Sequence, residues 1–260
     1  SLDKMILGQV ADKMQVTVYK TPQDITYMIG QLLASIVLVA VPRLAYYSGN
    51  GRMDEFMALV DKSYHSFMLI VFPACTGVAC LAPEIMWIYG GGRYDASIPV
   101  LIAFAIRTME SAVYTICANQ ILYVLHQEKF LVRVLLGCGI LNAVLDLLLV
   151  AVGGYTPLSA IVSTFVAEVI LMAIIFWFIR VKLHIPFHFV SRQNVRYLLL
   201  SVVFIPITLG VRAMGLGYIW TSILSVPICC LFYFAALLLM KDETMLFLTN
   251  KLLSRFRRSA

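Results

Sequence analysis

The sequence predicts an all-α, polytopic membrane helix bundle, on three observations. Of the 260 residues, 61% are hydrophobic and only 13% are charged, and the mean hydropathy is +0.89, a balance typical of membrane rather than soluble chains. Seven stretches approach or exceed the roughly 20 apolar residues that a spanning helix needs. Inside a bilayer each backbone polar group must be satisfied within its own segment, which makes these stretches helices.

Residues 1–10, "SLDKMILGQV", read as the tail of another span. Because the chain opens at Ser1 inside that apolar run, it is expected to be a fragment or a domain of a longer protein. The first complete span, 24–41, follows "VYKTPQD" and closes at "VPRLAYYSGNG". Next comes "GRMDEFMALVDKSYHS", in which Met53, Phe56, Met57 and Val60 alternate with Arg52, Asp54, Glu55 and Asp61 at helical spacing. That pattern predicts a helix lying on the cytoplasmic surface, before a second span at 67–89.

Three consecutive glycines, Gly90 to Gly92, separate this span from the next, 98–123, which Pro99 opens. A phosphate-binding loop would need a preceding strand and a Gly-Lys-Ser/Thr ending, and neither is present. With Trp87, Tyr89 and Tyr94 around it, the cluster reads as an external turn at the interface. Spans at 130–152, 157–178, 197–211 and 218–240 follow. The chain ends in "DETMLFLTNKLLSRFRRSA", where Leu248, Leu252 and Phe256 against Lys251, Arg255 and Arg258 form a second interfacial amphipathic pattern.

Basic residues fall unevenly about these spans. One set of loops and the tail carry Arg43, Arg52, Lys62, Lys129, Arg133, Arg180, Lys182, Arg192, Arg196, Lys241, Lys251, Arg255, Arg257 and Arg258. The opposite set carries Arg93, Arg212 and Lys13, with Lys4 and Lys20 near helix ends. By the positive-inside rule the tail is cytoplasmic. The net charge of +6 is therefore chiefly a topology signal; it suits anionic headgroups and does not call for nucleic acid. The six cysteines lie in apolar spans without metal-ligand spacing and read as packing residues.

An ionisable group at mid-membrane costs about 2.5–3.5 kcal/mol on insertion scales, so each one needs a reason. Asn142 and Asp146 are four apart and share a helix face. With the Thr164 hydroxyl and the Asp3 carboxylate they could ligate a hard cation, or hydrogen-bond the helices together. Arg107 and Glu110, three apart, can pair on one face, or Arg107 can face a cavity and attract phosphate oxygens. Lys20 is a substrate cation or a snorkelling lysine. Glu168 is a proton-coupling carboxylate or a helix-helix hydrogen-bond partner, and Asn119 and Gln120 contact sugar hydroxyls or join helices. His184 and His188 flank Pro186, so they do not form a helical zinc pair. No catalytic constellation occurs, and the chain is expected not to be an enzyme and to need no cofactor beyond sodium or proton coupling.

The order of local signals adds a resemblance. "LDKMILG", "VTVYKT", "VPRLAYYSGNGRMDEF", "LAPEIMWIYGGGRYDASIPVL", "LYVLHQEKF" and "NAVLDLLLVAVGGYTPLSAIVSTFVAEV" occur in sequence between residues 2 and 180. Together they resemble the carboxy-terminal half of lipid-linked oligosaccharide (O-antigen type) flippases of the polysaccharide biosynthesis family, in the multidrug/oligosaccharidyl-lipid/polysaccharide superfamily. The resemblance implies two six-helix lobes around a cavity. This chain would hold the end of the seventh helix, the eighth to twelfth, and an extra pair that some members carry. The division implied is a lobe at 1–180, the extra pair at 181–241 and a basic tail at 242–260.

In the lipid II flippase branch, a sodium site is built from an Asp on the seventh helix, an Asn and an Asp one turn apart on the eleventh, and a Thr on the twelfth. Asp3, Asn142, Asp146 and Thr164 match by type and order, with Ser163 able to replace Thr164. The implied function is cation-coupled, alternating-access translocation of undecaprenyl-pyrophosphate-linked oligosaccharide across a bacterial cytoplasmic membrane. The substrate would meet Lys20, Arg107, Glu110, Asn119 and Gln120, and coupling would use the four site residues with Glu168. A missing amino-terminal lobe or a second copy would complete the cavity. The alternatives are a drug/cation antiporter of the same superfamily, a membrane transferase, which lacks its acidic loop cluster, and a non-transporting scaffold.

Overall fold

The computed structural model describes residues 2–10, 13–188, 190–246 and 249. They form helices α1 (Leu2–Val10), α2 (Lys13–Leu38), α3 (Val41–Gly49), α4 (Met53–Cys80), α5 (Ala82–Gly90), α6 (Ile98–Ile116), α7 (Glu128–Ala151), α8 (Pro157–Trp177), α9 (Arg192–Val202), α10 (Phe204–Ala213) and α11 (Tyr218–Leu239). Among the described residues there is no strand, and seven helical segments are long and apolar enough to cross a membrane. The chain is an all-α, multi-pass membrane protein.

The first complete span begins earlier than the sequence suggests, at Lys13 rather than 24, and carries Pro22 in its interior. A proline removes one ladder hydrogen bond. Here the neighbouring turns bury Val18, Tyr19, Thr21 and Thr26, and the Thr26 hydroxyl donates to the Pro22 carbonyl at 2.9 Å, so packing holds the helix through the defect.

The segment 51–66 is not a surface helix. It is the first half of α4, continuous through Cys80, and the apolar side that was expected to meet headgroups is covered by α3 and α9. Phe56 and Val60 are fully buried. The polar side keeps its logic: Asp54 and Glu55 sit in the first turn, where carboxylates favour the helix dipole, and Arg52 donates to Glu55 at 2.6 Å.

The stretch 67–89 is likewise not one helix. It breaks at Leu81, and α5 restarts with Pro83 in its first turn, a position where the absent N–H costs nothing. Helix α5 ends on Gly91 in the left-handed conformation, at φ 58°. A Cβ on Gly90 would stand 1.8 Å from the Tyr94 ring, so the glycine cluster is a turn that both its backbone angle and its neighbour require.

The last two spans pack on the first part of the chain. Helix α9 starts at a Ser191 cap that accepts from the Asn194 N–H, and the stretch predicted at 197–211 divides at Val203 into α9 and α10. The main apolar core runs through both regions, including Val60, Met68, Ile116 and Ile175 with Tyr197, Phe204, Tyr233 and Leu237. Lipid supplies no hydrophobic drive between helices, so polar ties count, at about 0.6 kcal/mol each on average. Tyr233 donates to the Leu69 carbonyl at 3.0 Å. Arg212 on α10 forks onto Glu84 on α5 through two 2.8 Å bonds and also reaches the Cys80 carbonyl. All six cysteines are free thiols. Leu248, Lys251, Leu252, Arg255, Phe256 and Arg258 of the amphipathic tail lie outside the described residues.

Candidate functional site

Four elements converge on one buried polar cluster. Helix α1 contributes Asp3, α2 contributes Tyr19, α7 contributes Asn142 and Asp146 one turn apart, and α8 contributes Ser163 and Thr164. Helix α8 begins at a capping box in which Thr156 and Ser159 satisfy each other's backbone N–H groups. The turn before it, with Gly153 at φ 70°, brings Tyr155 beneath the cluster.

The contacts are specific. Tyr19 donates to Asp3 Oδ2 at 2.5 Å. Thr164 Oγ1 lies 3.4 Å from the same oxygen and accepts from the Asn142 amide at 3.1 Å. Ser163 donates to Asp146 Oδ1 at 2.5 Å. Asp3 is 4% exposed and Asp146 not at all. Asp146 Oδ2 and the Tyr155 hydroxyl are both buried, and the phenol and the carboxylate interact. Burial first, and then the Asp146 carboxylate, push the Tyr155 phenol above its ordinary range, so it stays protonated.

Two carboxylates lie in each other's field here, lined by hydroxyl and amide groups. The available donors are carboxylate, amide and hydroxyl oxygens, which suit a small hard cation. No group of three or more His, Cys, Asp or Glu that could hold a metal ion occurs among the described residues. The donor set therefore fits a sodium ion. Asp3, Asn142, Asp146 and Thr164, drawn from distant parts of the sequence, do meet.

One turn along α8 from Thr164 lies Glu168. It receives Arg107 of α6 in a bidentate ion pair, 2.7 Å from Nε and 2.5 Å from Nη2. The partner expected from spacing, Glu110, is not used. Glu168 meets the fork with both of its oxygens, the geometry a guanidinium prefers. Glu110 instead lines a cavity of about 260 Å³ with Glu168, Asn142 and Thr164, and its Oε1 is buried without a hydrogen bond.

On its other side Arg107 lines a larger, polar cavity of about 540 Å³ between α2 and α6, with Lys4, Gln23, Asp24, Gln31 and Ser111. Lys4 pairs there with Asp24 at 3.7 Å. Lys20 is exposed and is not among the residues lining this space. Gln120 does not face it either. It is fully buried in the π-turn Cys117–Leu122 that ends α6, and its amide donates to the Val37 carbonyl and the Ser63 hydroxyl, both at 2.8 Å. Gln120 is a tie between helices. Asn119 donates to Thr115 on its own helix at 3.1 Å.

Sequence reasoning missed Tyr19, Tyr155 and Lys4. Only Lys4 carried a signal, its place beside Asp3 on a helix that the cavity would also border. Both tyrosines fall just outside the predicted spans, and nothing local marks which phenol meets a carboxylate.

No protein-family model matches the chain. It is similar to the probable low-salt glycan biosynthesis flippase Agl15 of Haloferax volcanii, with 26% identity over 152 residues, covering 57% of this chain and 31% of that protein. Among solved structures it is similar to the lipid II flippase MurJ in its inward closed conformation, with a TM-score of 0.69 and 15% identity, over 89% of this chain and 48% of that one. At that identity the likeness is one of fold. The chain spans about a third of the curated relative and about half of the solved structure.

Proposed function

We propose that this chain is the carboxy-terminal lobe of a flippase that carries a pyrophosphate-linked saccharide on a polyprenyl carrier, of the undecaprenyl type, across the cytoplasmic membrane. The observation that carries the reading is a buried cluster of carboxylate, amide and hydroxyl groups one helical turn along α8 from Glu168, the residue that holds Arg107 at the wall of a polar cavity. The similarity to two flippases supports it. In this reading a second lobe, or a second copy of the chain, closes the cavity between α2 and α6, and the basic loops and tail lie on the cytoplasmic side.

Each group has a task that its chemistry suits. Arg107 offers a planar fork to the pyrophosphate, with Lys4 adding charge at the same wall and Lys20 at the exposed face of α2. Glu168 holds the guanidinium until an anion competes for it. Gln23, Gln31 and Ser111 present hydrogen-bonding groups toward sugars, while the lipid tail stays in the bilayer. Asp3, Asn142, Asp146 and Thr164 would hold a sodium ion, which supplies the charge that the two carboxylates lack. No bond in the substrate is made or broken, so alternating access of the lobes is enough.

The test is translocation of a fluorescent lipid-linked saccharide in proteoliposomes containing the complete protein. Arg107→Ala and Asp146→Asn should each lower the initial rate by about tenfold or more, the effect of losing about 1.4 kcal/mol or more. A wild-type rate equal to that of empty liposomes would overturn the reading.

A further inference from the structure

Two routes of contact join the acidic cluster to Arg107, and together they close a ring. The first runs along α8, where Thr164 and Glu168 are successive members of one face. Thr164 touches Asp3 and Glu168 holds Arg107. The second runs through aromatic rings. Tyr19 donates to Asp3, and its ring meets Phe104 edge-on with centroids 5.2 Å apart. Arg107, one turn beyond Phe104 on α6, places its guanidinium carbon 5.9 Å from that ring. Tyr19 is 1% exposed and Phe104 likewise, so neither can move without disturbing both ends.

From this ring we infer that Tyr19 is a positioning residue that ties occupation of the acidic cluster to the hold of Arg107 on an anion. The inference rests on the reading of the two sites given above. Asp3 Oδ2 serves both Tyr19 and Thr164. A cation taking that oxygen competes with the phenol hydrogen bond, frees Tyr19 to shift against Phe104, and so alters the seat of Arg107. The phenol is the natural joint, since its hydroxyl reads the carboxylate while its ring bears on α6. Neutralising Asp3, whose charge reaches Arg107, also favours an anion there. The coupling is therefore positive, and by linkage each ligand strengthens the other equally.

The experiment titrates the purified full chain in nanodiscs with inorganic pyrophosphate by calorimetry, in sodium chloride and in choline chloride at matched ionic strength. Wild type should bind pyrophosphate at least about fivefold more tightly in sodium, the lower edge of ordinary allosteric coupling. Tyr19→Phe retains every charge and the ring, and removes only the hydroxyl. It should still bind pyrophosphate, with the sodium-to-choline ratio cut to about half the wild-type value or less, the remainder being what the Asp3 charge alone carries. Phe104→Leu, which breaks the ring contact and leaves the Tyr19 hydrogen bond, should reduce the ratio in the same direction and serves if the first variant does not fold. A wild-type ratio retained in both variants would show coupling by charge alone and overturn the inference. Pyrophosphate binding in wild type that ignores sodium would overturn it while leaving the anion site standing. No pyrophosphate binding in either salt would overturn both the anion site and the inference.

Discussion

Arg107 and Glu168 lie 61 residues apart and face each other as a two-pronged ion pair across α6 and α8, with about a quarter of each side chain exposed. Such a pair holds each member in place more strongly than it stabilises the whole. Removing one partner strands a charge, whereas removing both does not. Glu168→Gln should therefore destabilise the protein by about 3 kcal/mol, the lower end for a pair that keeps some solvent. Arg107→Gln combined with Glu168→Gln should lose less than the single change. Thermal unfolding of the two variants in detergent checks this, and a double variant less stable than Glu168→Gln would refute it.

The acidic cluster gives a second expectation. A cation that binds only the folded protein stabilises it by mass action, by about 2.7 kcal/mol at a hundred times its dissociation constant. The unfolding midpoint should rise with sodium against choline in wild type. Asp146→Asn replaces one of the two buried carboxylates by an amide, so its midpoint should no longer respond to sodium. An equal rise in the variant would remove the cation from that site.

Gln120 separates a structural tie from a ligand contact. Gln120→Met keeps length and loses the two donated bonds to Val37 and Ser63. The expected cost is about 1 kcal/mol of stability, with saccharide binding unchanged at a temperature where the variant is folded. Weakened binding without a stability loss would place Gln120 in the cavity instead.

At the glycine turn, Gly90→Ala drives a methyl group against the Tyr94 ring, an overpacking that costs about 1–3 kcal/mol. Because the obstacle is a side chain, Tyr94→Ala should relieve it, leaving the double variant no less stable than Tyr94→Ala alone. Gly91→Ala has no such remedy, since its strain lies in a backbone angle of φ 58°. A double variant at position 90 that stays as unstable as the single one would put the strain elsewhere.

How far the sequence could be read depended on the range of the interaction. The i, i+4 pair Asn142 and Asp146 was legible because helical spacing alone puts both on one face. Its meeting with Asp3 and Thr164 came from resemblance, since nothing local brings α1 to α8. Arg107 was legible as a buried cation, but its partner was misassigned: sequence distance favoured Glu110, and the fork's geometry selected Glu168. Charge pattern misled at 51–66 for a related reason. An amphipathic helix covered by lipid headgroups and one covered by α3 and α9 have the same periodicity, and only tertiary packing distinguishes them.

The clasp between Glu84 and Arg212 has a consequence in time rather than in space. Glu84 is 1% exposed in the finished fold, and its arginine partner is 128 residues further along the chain. At about 5–20 residues per second, a ribosome needs about 6 to 25 seconds to deliver Arg212 after Glu84 has been made. During that interval α5 carries a carboxylate whose guanidinium partner has not yet been made. The clasp between α5 and α10 can therefore close only once Arg212 has been made.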